Sequence, residues 1–149
     1  MSPEDKKTQK EEMEELVSLL KEWQGLEVQG IEFLQNLQGE PDNKVLKEVL
    51  EIIKHDSGQH RRVQQFLIDG LTKEAFSLDV DEVAKIWEKL AEHDQLEEDA
   101  IAMAHRARKN TSSSLVRYFL NYLLADEEKH HRMLDNLEDI KRNLYPYGW

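Results

Sequence analysis

The 149-residue chain has no cysteine. That absence excludes disulfides, iron–sulfur clusters, thiolate zinc sites and a cysteine nucleophile. Glycine and proline are scarce, at six and three residues, and aromatic residues make up only 7%. There is no run of the roughly 18 apolar residues that a membrane-spanning helix needs. The opening MSPEDKKTQKEE is too charged for a signal peptide, so the expectation is a soluble, cytoplasmic protein. Basic residues are the minority: 20 Lys and Arg stand against 31 Asp and Glu, for a net charge of −11. Such a balance disfavours nucleic acid and anionic membranes as partners and is compatible with binding cations. Most of these acids serve as solvated surface. Only acids on an apolar stripe need a separate account.

The few helix breakers are clustered. They mark QGEPDN (38–43), DGLTKEAFSLD (69–79) and KNTSSS (109–114). Between them lie long segments of Leu, Glu, Lys, Gln and Ala, all good helix formers. Start signals agree: Ser2 with Pro3, Asp79 with Glu82 in capping-box spacing, and the Thr111–Ser114 cluster. No stretch alternates with the period of a strand. The spacing predicts four long helices in a single domain, whose size suffices for one substantial core.

Each predicted helix carries an apolar stripe, and each stripe is broken at its middle by polar residues. Helix 1 runs Met13, Leu16, Val17, Leu20, Trp23, then Glu27, then Ile31 and Leu34. Helix 2 runs Leu46, Leu50, Ile53, then Ser57 and His60, then Leu67. Helix 3 has Val83, Ile86 and Leu90 before Glu97, and Ile101 and Ala104 after it. Helix 4 has Val116, Leu120 and Leu123 before Glu127 and His130, and Leu134 and Leu137 after them. An ionised side chain buried without a partner costs several kcal/mol, so a plain helical core has no use for these interruptions.

The segment DEEKHHRML (126–134) holds two overlapping Glu-x-x-His pairs, Glu127 with His130 and Glu128 with His131. Residues three apart share a helical face, so either pair could present a carboxylate and an imidazole to one metal ion. Glu127 and His130 continue the apolar stripe. Glu128 and His131 continue the polar row Arg117, Asn121, Asp135, and are expected on a solvated face.

The two halves of the chain repeat at a constant offset of 70. LEVQGIEFL (26–34) lies over LEEDAIAMA (96–104), and DSGQHRRV (56–63) over DEEKHHRM (126–133). Glu27 therefore matches Glu97, and His60 matches His130. The simplest account is an all-α four-helix bundle built from two pseudo-symmetric hairpins, at about 5–70 and about 79–142. Five mid-helix side chains, three carboxylates and two imidazoles, would then converge: Glu27, His60, Glu97, Glu127 and His130. Clustered carboxylates in an apolar setting need a cation or a proton. The mixed nitrogen and oxygen set suits iron, manganese or zinc.

These residues resemble the ferritin-like di-iron carboxylate superfamily, and among its members the small rubrerythrin type. That family has four helices, two giving one Glu each and two giving Glu-x-x-His to a pair of metals. The resemblance implies single-Glu roles for Glu27 and Glu97, the full motif for Glu127 with His130, and the motif histidine for His60. It also implies a crossover between helices 2 and 3, for which about twelve linking residues would reach roughly 40 Å, with a simple up-down bundle as the alternative. One ligand is missing: Ser57 stands where the repeat has Glu127. His93, one turn before Glu97, could add an imidazole. Asp56 and Asp126 could orient ligand histidines. His55 and His105 are expected at the surface, and Trp23, Trp87 and Met103 in packing roles. The closing YPYGW could cap the bundle or join a subunit interface.

The resemblance implies a non-haem iron protein, with manganese or zinc as alternatives, acting on Fe(II), dioxygen or peroxide. Two ions or one could bind. The expected partners are metal ions and a small oxidant, with the chain as a homodimer or larger homo-oligomer. The alternatives are a metal-binding or storage protein without fast turnover, and a structural bundle with a degenerate site.

Overall fold

The computed structural model describes residues 7–144. Four helices account for nearly all of them: α1 (Gln9–Leu37), α2 (Lys44–Thr72), α3 (Val80–Lys109) and α4 (Ser114–Leu144). No strand occurs among the described residues. This is the all-α, four-helix class that the periodicity predicts. None of the helices is long and apolar enough to cross a membrane, among the described residues.

Side-chain caps set the helix starts. Glu11 N–H donates to Thr8 Oγ1, and Thr8 N–H donates back to Glu11 Oε2, closing a capping box on α1. The expected start at Ser2 and Pro3 lies outside the described residues, as does YPYGW. Asn43 Oδ1 accepts from the backbone of Val45 and Leu46 at the head of α2. Asp79 Oδ1 accepts from Asp81 and Glu82 at the head of α3, the Asp79 half of the capping box that the spacing predicts. Acids in the first turn of α3 and Arg106, Arg108 and Lys109 in its last turn complement the helix dipole. Ser113 Oγ accepts from Val116 N–H and starts α4.

The chain divides into two compact units between Phe76 and Ser77, each holding one hairpin. In the first, Gln38 near the turn hydrogen-bonds Glu51 and accepts from Lys54, while Glu27 meets His60 farther along. The pairings run in opposite senses, so α1 and α2 are antiparallel. In the second, Glu97 pairs with His130 and Asp94 with His131, again antiparallel. The connection between α2 and α3 is only residues 73–79, because α2 continues through Gly70 to Thr72. Within the first unit the Phe76 ring stacks on Phe66, with centroids 5.2 Å apart. It also rests on Gly70, where any Cβ would overlap the ring.

Each hairpin buries one seam. Leu20 and Ile68 lie in the first, and Val83 and Leu124 in the second. A second apolar row stays open in each, at matching positions of the repeat. Leu26 and Leu96 are 61% and 63% exposed, and Leu16 and Ile86 are 46% and 50% exposed. Phe33 with Met103, Ile53 with Leu123 and Val63 with Met133 are further matched pairs on the open row. The sequence stripe therefore merged two rows. Two helices facing each other cover only the side chains on their shared seam, and neighbours such as Leu16 and Ile53 fall beside it.

Candidate metal centre

The second hairpin carries the fuller constellation. Glu97 comes from the buried side of α3 and is only 6% exposed. His93 lies one turn earlier, with Nε2 2.8 Å from Glu97 Oε1. From α4, His130 Nδ1 approaches the same oxygen at 3.5 Å. Glu127, half-buried and one turn before His130, brings its carboxyl against Glu97. Donor atoms of Glu97, Glu127 and His130 all lie within 4.8 Å of one another, close enough to converge on one ion. Glu97 Oε2 is buried with no hydrogen-bond partner. Such an orphaned acceptor is costly unless a proton or a metal ion meets it.

The electrostatics fit that need. Two carboxylates can hydrogen-bond one another only through a shared proton. The hydrogen bond from Glu127 holds Glu97 below the usual carboxylate value; burial opposes this shift, and His93 and His130 reinforce it. Glu127 moves the other way, raised by the same hydrogen bond, by burial and by the charge of Glu97. Burial and the Glu97 charge thus favour the protonated form of Glu127, while Glu97 is held toward its ionised form. A divalent ion would displace that proton.

The first hairpin repeats half of this. Glu27 is largely buried, and its Oε1 lies 3.3 Å from Nδ1 of the exposed His60. Ser57 occupies the place of Glu127, and Trp23 that of His93. Two donors remain there. Among the described residues, both clusters of three or more metal-type donors belong to the second hairpin.

Other predicted positions take different partners. Asp126 binds the Lys129 ammonium at 3.1 Å rather than a ligand histidine. Asp56 is half-buried and makes no hydrogen bond to a histidine among the described residues. His55 and His105 are exposed, as expected. Trp23 and Met103 lie on the open row rather than in a packed core, while Trp87 is half-buried. His131 is the clearest departure. Its side chain is only 28% exposed, with Nδ1 2.6 Å from Asp94 Oδ1 and Nε2 3.4 Å from Asp135 Oδ2. The Asp94 hydrogen bond raises its pKa, burial opposes this, and the charges of Asp94, Asp135 and Glu98 add smaller upward effects. The signal was present in the spacing: His131 and Asp135 share a face at i, i+4, and a partner on α3 completes it. Sequence reasoning also missed Gln64, which is buried with an unpartnered Oε1.

Comparison with known proteins gives no match: no family model fits the chain, and no curated protein or solved structure is significantly similar to it.

Proposed function

We propose that this chain is a non-haem metal-carboxylate protein whose second hairpin holds a transition-metal ion through Glu97, Glu127 and His130, with His93 as a further donor. The observation that carries this reading is the buried Glu97, whose Oε2 lacks any donor while a second carboxyl and an imidazole converge on it. Iron is the first choice, with manganese or zinc as alternatives, since imidazole and carboxylate together suit these ions. Three donors support one tightly held ion. Glu27 and His60 offer two donors toward a second, weaker one.

The function that follows is an oxidoreductase acting on Fe(II), dioxygen or peroxide. A bound iron ion would supply the one-electron chemistry. The residues hold it, leave coordination positions for the small oxidant, and take up or release the proton shared by Glu97 and Glu127. With no cysteine in the chain, electrons come from Fe(II) itself or from a separate donor. The open apolar rows are surfaces that a homodimer or larger homo-oligomer would cover, which light scattering of the purified protein tests.

Anaerobic titration with Fe(II), followed by dioxygen or peroxide, tests the whole reading. The expected result is stoichiometric binding with oxidant consumed, both lost in Glu97→Ala. Stable binding without consumption supports the storage alternative. Absence of binding, with stability unchanged by added metal, leaves a structural bundle.

A further inference from the structure

The open row of the second hairpin keeps a period of seven. Along α4 the sequence steps by seven through Val116, Leu123, His130 and Leu137, and a second series three residues on includes Met133 and Ile140. Along α3 it steps from Ile86 to His93, with Leu96 and Met103 in the second series. Ile86, Leu96, Met103, Leu123, Met133 and Ile140 are 46–63% exposed, so this seam is distinct from the one that α3 and α4 share. A seven-residue apolar repeat marks a helix that packs on further helices through interlocking side chains. Apolar residues scattered singly over a surface do not keep that spacing.

A second copy of the chain fits this face. At about 1.5 Å per helical residue, Val116 and Ile140 lie roughly 36 Å apart, and two packed helices are about 20 Å wide, so the face covers roughly 700 Å². A stable interface takes about 800 Å² from each partner. The polar residues fall at the middle of the row: His130 stands between Leu123 and Leu137, and His93 follows Ile86. A two-fold axis through that level lays polar group on polar group and apolar end on apolar end. That is the self-matching an isologous contact needs. An apolar partner of unrelated sequence would instead bury His93 and His130 against hydrocarbon, at a cost.

The row also runs over the candidate metal centre. The His93 and His130 side chains are 59% and 48% exposed, and both approach Glu97 Oε1. Closing the face strips water from these imidazoles and from the half-buried Glu127, while Glu97 Oε2 already lacks a partner. Two such layers brought together without a cation bury acids and imidazoles unpaired, and this opposes the gain from apolar burial. A metal ion at each Glu97 gives those donors a partner and removes the penalty. An ion that binds the joined form more tightly must, by linkage, tighten the joining. In the first hairpin Trp23 and Ser57 replace His93 and Glu127, so its row carries less of this penalty.

We infer, on the reading of Glu97, Glu127 and His130 as ligands, that the second hairpin pairs face to face with the second hairpin of another copy and that metal at this centre controls the pairing. Sedimentation equilibrium of the full chain, stripped with chelator and then loaded with Mn²⁺, tests it, with calorimetry following Mn²⁺ binding in parallel. Loading should tighten self-association by roughly 10–100-fold. Leu96→Glu/Met133→Glu puts charge at two exposed row positions and should abolish the metal-dependent step while the chain still binds Mn²⁺. Leu26→Glu/Val63→Glu, the same change in the first hairpin, should keep that step. His93→Leu/His130→Leu makes the row apolar at its centre and should self-associate without metal. Wild type that binds Mn²⁺ with self-association unchanged would overturn the pairing and leave the metal centre standing. Wild type that binds no Mn²⁺ would sink the metal centre and, with it, control by metal. A His93→Leu/His130→Leu variant that associates no better than metal-free wild type would overturn the seam itself, whatever the ion does.

Discussion

Replacing Glu127 by Gln should make the metal-free protein more stable at neutral pH and the metal-bound protein harder to form. Glu97 is buried, its Oε2 has no donor, and the pKa of the neighbouring Glu127 carboxyl is raised by Glu97 and by burial. An amide has the same shape, carries no charge and always has an N–H to give. An unsatisfied buried acceptor costs about 1–3 kcal/mol, and the lower end applies because Glu127 is half-buried and partly screened. The gain is therefore about 1 kcal/mol at neutral pH, or about 2–4 °C in Tm for a chain of this size. The pH dependence has a definite sign. Glu127 has its pKa raised on folding, so metal-free wild type binds the extra proton in the folded state. Its stability should fall as pH rises from about 4.5 through the raised value. Glu97 is lowered, so its contribution is lost instead as pH drops below about 4.5. Glu127→Gln should flatten the first limb and leave the second. Chelator-treated proteins followed by far-UV circular dichroism across pH would show both. Metal affinity should drop at least tenfold, since even an orienting partner of a ligand commonly contributes that much. A variant less stable than wild type at neutral pH, with the alkaline limb unchanged, would refute the shared-proton account.

Glu97→Gln removes the negative charge that helps hold the Glu127 proton, so carboxyl NMR should place Glu127 closer to its ordinary pKa than in wild type. Gly70→Ala should displace Phe76 from its stack on Phe66, with a net change within about 1 kcal/mol because better helix propensity offsets the lost ring contact; loss of ring-to-ring NOEs checks it. Gly25→Ala meets no atom within 4 Å and should stabilise by up to about 1 kcal/mol, visible as a higher Tm. Asn43→Ala leaves Val45 and Leu46 N–H without their acceptor and should cost about 1 kcal/mol in denaturant unfolding.

The helices were legible because their signals are local. Helix formers fill the segments, and breakers such as Pro41 and Asn110 sit where the chain turns. Glu97, Glu127 and His130 were legible because their polarity interrupts an apolar period. Two things were not. Leu16 and Leu20 differ by one helical turn and share an apolar stripe, yet Leu20 is sealed and Leu16 is open. Which one meets the partner helix depends on the crossing of two helices, which a single helical period does not encode. Likewise His131 looked solvated from α4 alone, because the group that pairs with it, Asp94, lies 37 residues earlier on another helix. Polar partners across a seam leave no periodic trace. Gln64 escaped because glutamine is ordinarily an exposed residue, and nothing in its own spacing marks it as buried.

Joining two hairpins through residues 73–79 has an effect on composition that a self-associating single hairpin could not achieve. Identical copies must carry the same side chain at every equivalent place. In one covalent chain each half mutates alone, at fixed one-to-one stoichiometry. Here Trp23, Gln24, Ser57, Arg61 and Gln65 face His93, Asp94, Glu127, His131 and Asp135 across the repeat. At every one of these pairs the second half has an acid or imidazole where the first half has neither. The tandem chain is thereby free to carry a cluster of acids and imidazoles in one half without repeating it in the other.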